Sequence, residues 1–171
     1  MAKVVALIAS ALCILALAGV AQSLNDEFVV KGQVYCDTCR VLFQTKLSKN
    51  VAAAGVELKC RSRLNDTETL SVTSQTDEAG AYEITVKGDH EDDICEVHAV
   101  HSPLSGCVET PPEISSTRVS LAENTGMKSN VRYANPIGFR GDKADSQCTG
   151  VLEELDLIPE PNHDKILEAK D

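Results

Sequence analysis

The sequence predicts an all-β fold: a disulfide-bonded antiparallel sandwich or barrel of six or seven strands, with one short helical turn near the C-terminus. Three observations predict it. Apolar residues recur at alternate positions in several short runs, the period of a strand buried on one face. Clusters of Gly, Asn, Asp and Thr break those runs at short intervals. Six cysteines follow an apolar N-terminal leader, and an even number in an exported domain reads as three bridges. No stretch of the body shows a long helical period.

The 171-residue chain begins with Lys3 and an uncharged run from Val4 to Val20, with small residues at Ala18, Gly19, Ala21 and Ser23. A basic start, an apolar core and a small-residue exit describe a secretory signal peptide. The run is about 17 residues, at the lower edge of spanning length, and it is Ala-rich. Asp26 and Glu27 follow it, not a basic flank. The expectation is a signal helix over residues 1–23, cleaved near 21–23, and secretion to the extracellular space with no membrane insertion afterwards. Cys13 leaves with it. One β domain over 24–158 follows, then a polar, disordered tail over 159–171. The full chain carries a charge of −10; loss of the leader removes Lys3 and no acid, leaving 15 basic against 26 acidic residues, or −11. A field of that sign excludes nucleic-acid binding through phosphate neutralisation.

The elements follow in order. Phe28, Val30, Gly32, Val34 and Cys36 share one parity, and Lys31, Gln33 and Tyr35 take the other, so the first strand has Cys36 on its apolar face. Residues 41–54 are ambiguous; Val41, Phe43 and Thr45 suit a short strand, and Ala52 to Gly55 reads as a connection. Val56, Leu58 and Cys60 alternate with Glu57, Lys59 and Arg61 in a second strand whose cysteine faces inward. Asn65-Asp66-Thr67 is a turn, and Leu70 with Val72 marks a short third strand. Thr76 to Gly80 is a second turn, leading into Tyr82, Ile84 and Val86. Beyond the acidic run at Glu91–Asp93, Cys95, Val97 and Ala99 share a face. Pro103, Gly106 and Cys107 lie in a loop. Val119 with Leu121, and Val131 with Tyr133, mark the last strands. Residues 150–157 suit about two helical turns.

Cys36-Asp37-Thr38-Cys39 allows three chemistries. A redox pair opens a helix after a strand in a βαβ setting, and neither the helix nor that rhythm follows Arg40. Zinc wants a second close pair of ligands, and none is present. Structural bridging remains. Strand parity selects Cys60 with Cys95. Cys107 and Cys148, both in loop-like surroundings, then close onto Cys36 and Cys39 in an order that spacing leaves open. Asp89-His90-Glu91-Asp92-Asp93 lacks the alternating oxygens and turn glycine of a calcium loop and reads as a solvated turn. His98 and His101 stand three apart on a strand, facing opposite ways. No catalytic constellation, phosphate loop, metal set or cofactor motif stands out. Asn65-Asp66-Thr67 is an N-glycosylation sequon in an exposed turn.

Gly32-Gln33-Val34-Tyr35-Cys36-Asp37-Thr38-Cys39-Arg40 resembles the signature of the Ole e I family, the olive-type pollen allergens and late-anther, extensin-like pollen proteins. Further matching pieces occur in order: Val56 to Arg61, Thr76-Asp77 before Gly80-Ala81-Tyr82, Glu91 to Cys95, Ser102-Pro103 before Cys107, and Ala134 to Phe139. The resemblance implies a secreted, disulfide-bonded β-barrel or sandwich without an agreed catalytic site. It implies the pairing Cys36–Cys107, Cys39–Cys148 and Cys60–Cys95. It implies a glycoprotein of pollen, a potential allergen, acting in hydration or tube growth by binding receptor-kinase ectodomains. Two other classes of function stand beside it. One is a module associated with cell-wall polysaccharides, against which the scarcity of aromatics counts, with three Tyr and three Phe. The other is a thiol oxidoreductase built on Cys36 and Cys39.

Overall fold

The computed structural model describes residues 27–157. The leader expected over 1–23 and the tail expected over 159–171 lie outside them. The centre of the fold is β1 (Glu27–Asp37), the longest strand. Its alternate residues Phe28, Val30 and Val34 are buried, as the period-2 pattern requires. On one side β1 pairs antiparallel with β5 (Ala81–Lys87) and with the two-residue β2 (Lys49–Asn50). On the other it pairs in parallel with β8 (Val131–Tyr133) and β9 (Ile137–Arg140).

The second sheet is antiparallel throughout, in the order β4 (Glu68–Gln75), β3 (Gly55–Ser62), β6 (Asp93–His101), β7 (Ser116–Val119). The two inner faces enclose a core of Phe28, Val34, Val56, Leu58, Ile84 and Phe139 with their neighbours. The β4 and β5 edges adjoin across the Thr76–Gly80 turn but share no ladder, so the two layers form an open sandwich, not a closed barrel. A single short helix among the described residues, α1 (Cys148–Glu154), packs Cys148 and Val151 inward.

Four details depart from the sequence expectation. The described residues hold nine strands, not six or seven, because β2 and β9, only two and four residues long, carry no pattern of their own. The first sheet is mixed, not antiparallel, since β8 and β9 run alongside β1. Val41 and Phe43 lie in bends and Thr45 in irregular chain; Leu42 has φ +66°, outside any strand. The helix starts at Cys148, two residues earlier than 150. Val131 and Tyr133 mark β8, but β9 carries no such mark because it does not alternate. Ile137, Gly138 and Phe139 are all buried, the core lying on one side and the Tyr35 ring covering Gly138 on the other.

Candidate functional site

The end of β1 is a junction. Cys36 is bonded to Cys107 and Cys39 to Cys148, while Cys60 is bonded to Cys95 directly across the β3–β6 ladder. Asp37 is fully buried: one carboxylate oxygen accepts the Cys39 N–H at 3.2 Å and the other the Leu42 N–H at 2.8 Å. Those two bonds hold a turn in which Arg40 and Leu42 adopt positive φ. The Thr38 hydroxyl donates to the Leu47 carbonyl at 2.9 Å. Arg40 donates to the Gly141 carbonyl and to Glu109. Arg140 grips the same carboxylate through Nε at 2.7 Å. The Arg140 hydrogen bond, assisted by Arg40, holds the Glu109 carboxyl below its usual range against partial desolvation.

This arrangement gives the motif little to react with. Cys36 and Cys39 are buried and bonded to different partners, so the spacing supplies no vicinal dithiol. The acidic run is also committed. His90 Nδ1 lies 2.8 Å from Asp93, which accepts the Thr69 hydroxyl at 2.7 Å, and Glu91 accepts from Asn124. The hydrogen bond to His90, then that from Thr69, holds the Asp93 carboxyl below its usual value. The sulfurs of Cys60 and Cys95 and a ring nitrogen of His90 lie within 4.8 Å of one another. Both sulfurs are in a disulfide, so they offer no thiolate to a metal. His98 approaches Glu96 at 4.0 Å on the outer face, and His101 is exposed at the strand end. Asn65 is exposed at the tip of the β3–β4 hairpin, where its side-chain oxygen accepts the Thr67 N–H at 3.2 Å and hydroxyl at 2.8 Å.

The mid-section of β1 is different. On the outer face, Glu83, Lys31 and Tyr133 stand in register across β5, β1 and β8. A groove of about 730 Å³ crosses them. It is lined by that row and by Gln33, Asp77, Tyr82 and Pro136 among others. Lys31 and Glu83 pair at 2.7 Å, both partly exposed. Tyr133 is 81% exposed. Tyr82 is 3% exposed, and its hydroxyl has no hydrogen-bond partner. Burial pushes that phenol up to about 12.

Residues 26–156 match the family described as Pollen protein Ole e 1 like. The chain belongs to that family. It is 47% identical over 159 residues to the anther-specific protein LAT52 of Solanum lycopersicum, covering 93% of this chain and 98% of the relative. It is 45% identical to pollen allergen Che a 1 of Chenopodium album, over 91% of this chain and 94% of that one. The crystal structure of the major plantain pollen allergen Pla l 1 superposes with a TM-score of 0.65 at 32% identity, covering 71% of this chain and 99% of that structure.

In this Ole e 1-like chain, sequence reasoning found the sulfurs but missed the groove. One available signal points to the inner side of the same strand, not to the groove. Gly32 and Tyr82 are direct partners across β1 and β5, and a Cβ on Gly32 would come within 2.3 Å of the Tyr82 hydroxyl. An apolar-face glycine in a strand marks a close approach, but its partner strand cannot be read from one segment alone. Tyr133 falls on the outward parity of a three-residue strand, too short to show a period. Asp37 carried no signal beyond its place between two cysteines.

Proposed function

We propose that this is a secreted, non-enzymatic pollen protein that acts by binding other proteins, receptor-kinase ectodomains among them, during pollen hydration and tube growth, and that it is a potential allergen. The observation that carries the reading is its likeness, over nearly the whole chain, to an anther-specific protein and to several pollen allergens. Three disulfides in a domain of this size suit an oxidising, extracellular setting. Among the described residues, no helix is long and apolar enough to cross a membrane. The hydrogen-bonded and disulfide-stapled junction supports a rigid shell whose recognition takes place on its outside. An acidic surface favours a basic patch on the partner, and such association weakens with salt.

The test is capture of pollen-membrane proteins on the immobilised, oxidised protein. A saturable partner that is released as ionic strength rises is the expected result. Absence of any saturable partner at low and physiological salt counts against the reading. The polysaccharide reading gains one specific observation, the exposed Tyr133 beside the groove. The thiol oxidoreductase reading gains none, because each cysteine of the motif bonds to a distant partner.

A further inference from the structure

We propose that the groove across β5, β1 and β8 is a binding site for a neutral saccharide chain, with the Tyr133 ring as its stacking platform. A sugar ring has a C–H face and a rim of hydroxyls. Its recognition needs an exposed aromatic face beside donors and acceptors of fixed position. Tyr133 supplies the face: it is 81% exposed and covers no core. Lys31 and Glu83, in the same row, supply an ammonium and a carboxylate. Their exposed pair is worth little to the fold and keeps spare protons and lone pairs for a ligand. Gln33 adds an amide whose bond to the Ala79 carbonyl is long, at 3.4 Å.

The same face argues against other occupants. Asp77 and Glu83 in the lining, on a chain of charge −10, repel polyuronates. β1 itself is paired on both sides and offers a peptide no edge. A polyproline ligand wants a row of aromatic ridges, and the groove exposes one ring.

A neutral chain has two natural sources, a wall polysaccharide or a glycan carried by a glycoprotein. The experiment titrates the purified, oxidised protein with glucose and galactose hexasaccharides, a released high-mannose glycan and an oligogalacturonate, followed by NMR shifts and calorimetry. At least one neutral chain should bind saturably, and the uronate should bind more weakly. Which neutral chain binds identifies the source. Tyr133→Ala should lower affinity by about tenfold, the worth of one stacked ring, while Tyr133→Phe retains most of it. Tyr82→Phe, on the core side of the sheet, should leave binding unchanged. No saturable binding of any neutral chain at millimolar concentration overturns the proposal, as does tighter uronate binding or affinity unmoved by Tyr133→Ala. The outcome is separable from that of protein capture: Tyr133→Ala should lose saccharide and still capture the protein partner.

Discussion

At Cys36–Arg40, β1 ends where the sulfurs are bonded and the Asp37 carboxylate and Arg40 guanidinium have partners inside the protein. At Lys31–Gln33 the outer face of the same strand lies in a groove bordered by an exposed tyrosine. The motif that is easiest to see in the sequence is the part with the least chemistry left to offer. The plain residues before it face the solvent with groups still free to bind. Two lengths of one strand thus separate what holds the shell from what the shell can present.

Breaking the junction should have the largest effect. In the chain-entropy picture, stabilisation grows with the loop a bridge closes. Cys39–Cys148 spans 109 residues and Cys60–Cys95 spans 35. Replacing both members of the first by Ala should cost about 4.8 kcal/mol, against about 3.8 kcal/mol for the second. Chemical denaturation of the paired variants checks the order. A larger loss for the Cys60–Cys95 pair would place the main staple within the β3–β6 ladder and sink the contrast drawn here.

A smaller effect is expected beneath the groove. Gly32→Ala puts a Cβ against the Tyr82 ring, and overpacking of this kind costs about 1–3 kcal/mol. Tyr82→Phe alone should leave stability unchanged or raise it slightly, since it removes a buried hydroxyl with no partner. A marked loss of stability in Tyr82→Phe would show that the phenol is satisfied within the fold.

The contrast also has a pH signature. Glu109 has a folded pKa below its usual value through Arg140 and Arg40. Its contribution is therefore present above the unfolded pKa and is lost as pH falls through the depressed folded one. Tyr82 is the reverse: its phenol is pushed up to about 12 by burial. Its contribution is full below the unfolded value near 10 and is lost as pH rises through the folded value. Melting curves across pH should show Glu109→Gln flattening the acid limb alone, and Tyr82→Phe the alkaline limb alone.

How much of this was legible follows from length and period. The β3 strand reads plainly, because eight residues alternate Val56, Leu58 and Cys60 with charged neighbours, and its sheet packs one face only. Cys60 and Cys95 could be matched by parity because each lies on the core face of a regular strand. Cys107 sits in a loop and Cys148 at the start of α1, outside the strands whose parity could match them, so geometry alone left their partners open. The parallel pairing of β8 and β9 with β1 was illegible for a different reason. A parallel neighbour is distant in sequence, and the residues of β9, buried on both faces, show no alternation. Val131 and Tyr133 mark β8 as a strand, but the register that sets Tyr133 beside Lys31 and Glu83 cannot be read from it.

The smallest expected effect tests whether position, not composition, decides what a surface residue does. Asn65 is exposed at a hairpin tip with its Thr67 hydroxyl alongside, as a glycan acceptor must be. Leu64, its neighbour, is 94% exposed, and an attached sugar would cover it. Asn65→Gln should remove one N-glycan, read as a mass loss matched by enzymatic deglycosylation of the secreted protein. Stability should change by no more than about 0.5 kcal/mol, as for a surface site that anchors nothing. Saccharide binding at Tyr133 should not change either, since the tip belongs to the other sheet. A variant that bound added saccharide more tightly would mean that the protein's own glycan occupies the groove of a neighbouring molecule, and the free site would have to be reassigned as an intermolecular contact.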